Sequence, residues 1–234
     1  MKVRILIVTL LMMTSVARAQ MNNPYVDDKL IHFGFSLGTN LMAYSVTDSE
    51  REIDGEIYHA RVSQVLPGFN VGFICDLRMS RHLNLRFIPT LYFGQKTITY
   101  KTSSGAPVKG SAGKNAELLS LPLALPLMIK WSAEREKNYR PYLIAGGGVS
   151  FDFGRQKDRV IYQQMMDYFV SFGFGCDFYF RWFKFCPEIR YQVGFKNAIT
   201  PVSERPELPA GDHFYTNALD RLRNQMLVIT FNFE

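Results

Sequence analysis

The stretch QMLVITFNF, from Gln225 to Phe233, alternates strongly apolar with less apolar side chains and ends on two phenylalanines, one residue before the final glutamate. This alternation is typical of a β-strand with one lipid-facing and one interior face. The bilayer core contains no water that could bond free backbone N–H and C=O groups. A last strand of this kind therefore has to pair with the first strand of the same sheet. The stretch therefore predicts an outer-membrane β-barrel.

The same alternation recurs along the chain, with turn or loop composition between the segments. The chain contains 19 Phe, 12 Tyr and 17 Gly, a composition that favours strands over helices. One face of each segment is aromatic and aliphatic, while the other carries glycine, hydroxyl and charged side chains. We predict eight strands, at about residues 31–46, 68–79, 82–100, 116–131, 139–153, 167–181, 183–195 and 222–233.

The lengths of the connections favour a membrane barrel over a soluble sandwich or a lipocalin-like barrel. Long connections are predicted after the first, third, fifth and seventh strands, and short ones after the second, fourth and sixth. Outer-membrane barrels have short periplasmic turns and long outer loops. We therefore predict an all-β fold, an eight-stranded antiparallel up-and-down transmembrane barrel whose narrow interior is filled by side chains. The long connections are at about residues 47–66, 101–115, 154–166 and 196–221.

The N-terminus has the features of a secretory signal peptide. A basic start is followed by an apolar run over residues 5–13 and by the small-residue cleavage site Ala17-Arg18-Ala19. We predict a cleaved signal peptide at residues 1–19, a short periplasmic segment at residues 20–29, and a barrel at residues 30–234 in the outer membrane. Cleavage removes Lys2, Arg4 and Arg18 and lowers the formal charge from +6 to +3, so we expect no nucleic-acid partner.

The residues that could support catalysis or bind a metal are scattered. The four histidines stand singly, and Cys75, Cys176 and Cys186 show neither zinc-site nor disulfide spacing. A lipid hydrolase would need a nucleophile beside a histidine, and no lipid-facing serine has an obvious histidine neighbour. We therefore expect no metal, no cofactor and no enzymatic activity.

The interior face carries charges of both signs, and these have to pair or take up water because unpaired burial costs several kcal/mol. Two interpretations stay open, a structural network of ion pairs and a binding site for a partner segment. Glu188 and Arg190 are expected to pair with Asp177 and Arg181. Gly175 on this face is expected to tolerate serine better than Phe174 on the lipid face tolerates arginine. The inward residues are Asp76, Arg78, Arg86, Lys130, Arg140, Asp152, Asp177, Arg181, Lys184, Glu188, Arg190 and Lys196.

Three segments resemble the PorT family, also called SprT, of the Bacteroidetes. They are HFGFSLG at residues 32–38, RPYLIAGG at residues 140–147 and, most specifically, FGFGCDFYFRWFKFCPEIR at residues 172–190. Members of that family are outer-membrane barrels needed for the type IX secretion system and, in gliding bacteria, for motility. The resemblance implies a role in exporting proteins with C-terminal sorting domains, with outer-membrane lipid and secretion subunits as partners. The alternative is a general small barrel for adhesion, envelope stability or small-ligand binding.

Overall fold

The computed structural model of the chain describes residues 22, 24–48, 52–53, 56–102, 115–154, 164–198 and 219–234. The predicted signal peptide lies outside these residues and stays a prediction. No helix in the described part of the chain is long and apolar enough to cross a bilayer.

The described residues form almost only β-strands. A short 3-10 turn at Val26–Asp28 precedes the first of them. The strands are β1 (Ile31–Asp48), β2 (Glu52–Ile53), β3 (Glu56–Val65), β4 (Pro67–Arg78), β5 (Leu83–Phe87), β6 (Thr90–Thr102), β7 (Asn115–Ser120), β8 (Pro122–Ser132), β9 (Tyr139–Asp152), β10 (Met166–Tyr179), β11 (Lys184–Gly194) and β12 (Leu219–Phe233).

The sheet closes on itself because β1 pairs with β12 on one side and with β4 on the other. Phe35 lies opposite Phe233 in β12 and opposite Phe73 in β4. β3 with β4, β5 with β6, and β7 with β8 each form one barrel strand, so the barrel has eight antiparallel strands. The predicted fold class and the closure of the last strand against the first are confirmed.

The predicted alternation of faces is also confirmed. Phe33, Phe172 and Phe174 are more than half exposed on the outer surface, as expected for side chains that contact lipid. Outward aromatic rings stack across neighbouring strands, with ring centroids 5.0 Å apart for Phe35 and Phe233. Interior positions between them are buried, among them Ser36 and Asn40 of β1.

Two predicted strands are divided in the structure. The third is interrupted at Ile88 and Pro89, because proline has no amide hydrogen for the ladder. The fourth is interrupted at Leu121, whose amide donates to the side-chain carboxylate of Asp152 at 2.9 Å instead of to a backbone carbonyl. Neither interruption shifts the faces, since Ile88 and Thr90 are fully buried at the first and Ser120 and Ala124 are buried on either side of the second.

The connection predicted at residues 47–66 is not a loop. β1 continues to Asp48, and β2 and β3 occupy residues 52–53 and 56–65. The other long connections lie mostly outside the described residues. The short turns after β4, β8 and β10 are present as predicted. We call their end of the barrel the periplasmic end and the opposite end the outer end.

The lumen has two chemically different halves. Charged side chains fill the periplasmic half. Side chains from five different barrel strands meet in an apolar cluster towards the outer end. The members of the apolar cluster are Met42, Tyr92, Ala124, Phe169, Met226 and Val228.

Candidate functional site in the lumen

The periplasmic half of the lumen holds four acidic and four basic side chains, each at most 5% exposed, which we call the charge network. Strand alternation brings them there, because each occupies an interior position of its strand or, for Glu234, continues the interior face of β12. Their formal charges cancel. The acidic members are Asp76, Asp177, Glu188 and Glu234, and the basic members are Arg86, Lys130, Lys184 and Arg190.

Arg86 of β5 is the centre of the network. Its Nη2 lies 2.6 Å from both Asp76 Oδ2 and Glu234 Oε1, and its Nε donates to Asp76 at 2.7 Å. Its Nη1 lies 3.8 Å from Glu188 Oε2. A planar guanidinium with a fork of donors suits several carboxylates at once. Arg86 thereby connects β4, β11 and the residue that follows β12.

Two lysines complete the pairing. Lys130 Nζ of β8 lies 2.8 and 2.7 Å from the two carboxylate oxygens of Asp177 on β10. Lys184 Nζ lies 2.6 Å from Glu234 Oε2. Together with Asp76–Arg86 and Glu188–Arg190, these contacts give every member of the charge network an oppositely charged partner at 2.6 to 2.8 Å. Such pairing removes most of the cost of burying a single charge.

Glu188 has partners on two sides. Tyr142 of β9 donates its hydroxyl to Glu188 Oε2 at 2.7 Å, and Arg190 Nε lies 2.8 Å from Oε1. The Tyr142 ring crosses over Gly175 of β10, where a Cβ atom would be 2.5 Å from the ring. Lys130 Nζ lies 4.0 Å from the centre of the same ring, a cation–π distance.

A segment before β1, residues 24–30, lies at the periplasmic end of the lumen. Asp27 accepts the Tyr179 hydroxyl at 2.9 Å and lies 3.6 Å from Arg135 and 3.8 Å from Arg140. Asp28 pairs with Arg78 at 3.2 Å. We call these contacts the periplasmic latch, because they tie the segment to the ends of β4, β9 and β10 and to the turn between β8 and β9.

The structure brings most of the predicted inward residues together. Asp76, Arg86, Lys130, Asp177, Lys184, Glu188 and Arg190 belong to the charge network, and Arg78 and Arg140 belong to the periplasmic latch. Asp152 lies at the outer end, where it accepts hydrogen bonds from the Ser120 hydroxyl and from the amides of Leu121 and Gly154.

Arg181 and Lys196 do not project inward, and the predictions for them are wrong. Both are exposed. Arg181 lies 5.2 Å from the ring of Trp182, and Lys196 lies 6.0 Å from the ring of Tyr168. β10 ends at Tyr179 and β11 at Gly194, so the alternation no longer governs either residue. Glu188 and Arg190 consequently do not pair with Asp177 and Arg181.

Four residues of the site were not predicted from the sequence. Glu234 follows directly on the inward positions Thr230 and Asn232, so the alternation of β12 would have identified it. Tyr142 also stands at an interior position, beside Arg140. Asp27 and Asp28 precede the first strand, and no periodicity points to them.

The charge network fills the lumen at its periplasmic half and leaves its side chains almost without solvent contact. Among the described residues, no group of three or more His, Cys, Asp or Glu side chains could hold a metal ion.

The family model described as outer membrane protein beta-barrel domain matches residues 18–200 of the chain. No curated protein matches the chain. Among solved structures, Neisserial surface protein A is similar, with 10% identity, a TM-score of 0.44, and coverage of 87% of this chain and 98% of that one. Ail, the attachment invasion locus protein of Yersinia pestis, is 10% identical with a TM-score of 0.35 over 86% of this chain and 96% of that one. Outer membrane protein AlkL is 12% identical with a TM-score of 0.40, and the match covers 85% of this chain and 88% of that one. These similarities concern the fold alone.

Proposed function

The chain belongs to the outer membrane protein β-barrel domain family, and from that premise we propose that it is an accessory of the type IX secretion system. In this role it supports the export of proteins with C-terminal sorting domains and, where present, gliding motility. Its partners are outer-membrane lipid and other subunits of the secretion system. The proposal assigns it no reaction and no cofactor.

One observation carries the proposal. The segment most similar to the PorT family, residues 172–190, supplies Asp177, Lys184, Glu188 and Arg190, which are half of the charge network. The resemblance thus concerns residues that hold the barrel interior together and not only its lipid-facing surface.

The geometry favours a supporting role over a conduit. An eight-stranded barrel is too narrow for a folded protein, and here paired charges fill the periplasmic half of its lumen. A folded cargo protein cannot pass such a lumen. We propose that the charge network keeps the barrel rigid so that its rims present fixed surfaces to the other secretion subunits.

Deletion followed by surface proteomics tests the proposal. Loss of the barrel is expected to leave sorting-domain proteins in the periplasm, while outer-membrane proteins without that domain keep their normal levels. Re-expression of the wild-type chain is the control and is expected to restore surface display. Normal display of sorting-domain proteins in the deletion strain would reject the secretion role and leave the general small barrel.

A further inference from the structure

A cleft of about 630 Å³ lies at the periplasmic end of the barrel, between the segment before β1 and the turn that joins β10 to β11. This volume is in the range of sites that hold small molecules. Its inner wall is formed by the buried side chains of His32, Lys184 and Glu234, the last two of which belong to the charge network. Its outer wall is formed by exposed side chains. The cleft therefore connects the polar lumen with the lipid-facing surface.

The outer wall is aromatic. Phe33 of β1 and Phe183, directly before β11, line the cleft and are exposed on the outer surface of the barrel. Phe33 stacks on Phe73 with ring centroids 5.9 Å apart, and Phe183 lies 6.1 Å from Phe233. The apolar part of a molecule in the cleft can therefore continue along a row of rings that already faces lipid.

Two further aromatic side chains place the cleft at the level of the lipid head groups. Tyr25 and Trp182 line it and are 78% and 83% exposed, the highest values among the large hydrophobic side chains of the described residues. Tyrosine and tryptophan are enriched where membrane hydrocarbon meets water, because each has an apolar ring and a polar group. This position favours a lipid over a soluble partner protein.

Two cations of the cleft have no counter-ion among the described residues. Lys29 and Arg181 are both exposed, and the guanidinium of Arg181 lies 5.2 Å from the ring of Trp182. Lys184, the third cation of the lining, is paired with Glu234 at 2.6 Å. The lining therefore has two positive charges in excess, of which a terminal carboxylate at Glu234 would offset one.

The surroundings of the cleft do not supply the missing negative charge. Residues 1–23 contain no aspartate or glutamate, so the undescribed residues that precede the cleft cannot neutralise it. The other undescribed segments are joined to strands at the outer end of the barrel. The periplasmic latch, next to the cleft, has three arginines against two aspartates. An anion from outside the chain is therefore attracted to the cleft.

We propose that the cleft binds one anionic phospholipid of the periplasmic leaflet, with its phosphate at Lys29 and Arg181 and an acyl chain against Phe33 and Phe183. Arginine and lysine form charge-assisted hydrogen bonds with phosphate, and they attract an anionic head group more strongly than a zwitterionic one. The site is independent of the secretion role, so either proposal can fail without the other.

Quenching of tryptophan fluorescence by brominated lipid tests the site, because the chain has two tryptophans and only Trp182 lines the cleft. Trp131 is exposed to lipid at the same end of the barrel, opposite Leu83 on β5. Trp131→Phe leaves Trp182 as the reporter of an intact cleft, and Trp182→Phe leaves Trp131 as the reporter of bulk lipid. Each barrel is placed in phosphatidylcholine nanodiscs that contain a small, equal fraction of brominated phosphatidylglycerol or brominated phosphatidylcholine.

Brominated phosphatidylglycerol is expected to be enriched beside Trp182 about fivefold or more over brominated phosphatidylcholine, because two cations attract its head group. Beside Trp131 the two lipids are expected to quench equally. Soluble glycerol phosphate has the head group without the acyl chains, and it is expected not to reduce the quenching of Trp182.

The double substitution Lys29→Gln with Arg181→Gln removes both cations and keeps the aromatic walls. It is expected to abolish the preference for phosphatidylglycerol beside Trp182. Arg81→Gln with Lys137→Gln removes the same number of charges from the turns after β4 and β8 and is expected to keep the preference. Each barrel in lipid without bromine is its own reference for fluorescence.

Heat-modifiable migration shows whether each variant is folded. If the cleft variant is not folded, the comparison of the two tryptophans decides alone. The proposal would be overturned by equal quenching of Trp182 by the two lipids, by the same preference at Trp131, or by displacement of the lipid by glycerol phosphate. Full preference in the folded cleft variant, or an equal loss of preference in the control variant, would also overturn it.

Discussion

Tyr142 donates its hydroxyl to Glu188 at 2.7 Å by crossing Gly175, and a Cβ atom at position 175 would be 2.5 Å from the tyrosine ring. Because Gly175 of β10 has no side chain, Tyr142 of β9 can reach across it to Glu188 of β11 through the lumen. A hydrogen bond from Tyr142 and an ion pair with Arg190 together hold the Glu188 carboxylate.

Tyr142→Phe is expected to lower the free energy of unfolding by about 1 to 3 kcal/mol, because Glu188 Oε2 loses its buried donor. The measurement is urea unfolding of the refolded barrel, followed by heat-modifiable gel migration. Tyr139→Phe is the matched control, since Tyr139 is exposed and bonds to the exposed Glu136. The control is expected to leave the urea midpoint unchanged, and an equal loss in both variants would contradict a special role for the Tyr142 hydroxyl.

Arg86→Met is expected to cost about 3 to 5 kcal/mol, because it leaves Asp76 and Glu234 without their shared cation. Adding Asp76→Asn removes the carboxylate that loses its ion-pair partner, since Glu234 keeps Lys184 at 2.6 Å. The double variant is therefore expected to lose less stability than the sum of the single variants, as measured in a double-mutant cycle. Arg81→Met, at an exposed pair with Glu134, serves as the control and is expected to unfold like the wild type. Additive losses in the cycle would mean that Arg86 and Asp76 are not coupled.

Phe174→Arg and Gly175→Ser test the two faces of β10. Phe174 is more than half exposed to lipid, so arginine is expected to cost up to about 2 to 4 kcal/mol, depending on its depth in the bilayer. The sequence predicted a milder effect for Gly175→Ser, but the structure leaves no free space for the added side chain. The added Cβ would lie 2.5 Å from Tyr142 and 2.7 Å from the Pro187 carbonyl oxygen.

Both substitutions are therefore expected to reduce barrel assembly, measured as the heat-modifiable fraction after refolding. Ser150→Ala is the lumen-facing control and is expected to assemble normally, because Ser150 is only half-buried and its hydroxyl makes one long contact, at 3.5 Å. Normal assembly of Gly175→Ser would show that the lumen has more room at Tyr142 than the structure gives it.

Strand alternation made the barrel predictable, because in a membrane the side-chain period of two separates lipid from lumen along every strand. It identified the interior positions of Asp76, Arg86 and Glu188 even where prolines interrupt the ladder. It failed at Arg181 and Lys196, which stand past the ends of their strands and lie exposed near aromatic rings.

Partners across the lumen were beyond prediction from the sequence. Glu188 was expected to find its partners on neighbouring β10. Its contacts come instead from Arg190 on its own strand and from Tyr142 and Arg86, which are on other strands and reach it through the interior. Such contacts depend on barrel shear and on which glycines leave space, and neither is visible in a single strand's pattern.

Asp27→Ala is expected to release the periplasmic latch and leave the barrel folded. Asp27 has three partners, Tyr179, Arg135 and Arg140, whereas Asp28 is mostly exposed and pairs with Arg78. Trypsin cleavage after Lys29, followed by mass spectrometry, is expected to be faster in Asp27→Ala than in Asp28→Ala or the wild type. Unchanged cleavage in Asp27→Ala would mean that other contacts hold the segment in place.

Glu188→Ala joins the charge network to the proposed secretion role. It removes the partner of Arg190, of the Tyr142 hydroxyl and, at 3.8 Å, of Arg86. It also leaves an excess of positive charge among side chains that are almost fully buried. Breaking a buried pair in this way costs about 3 to 5 kcal/mol. Glu188→Gln keeps the size and an acceptor for Tyr142 but not the charge, so it is expected to be intermediate.

If rigidity of the barrel is what the secretion system requires, barrel abundance and surface display of sorting-domain cargo are expected to fall together across wild type, Glu188→Gln and Glu188→Ala. Immunoblots of outer-membrane fractions and surface proteomics of the same cultures measure the two quantities. The Glu188→Ala barrel could instead keep normal abundance and urea stability while the cells no longer display cargo. Barrel abundance and cargo display would then not be linked. That result would reject the structural interpretation, because a charge that is not needed for folding but is needed for export has to act on a partner.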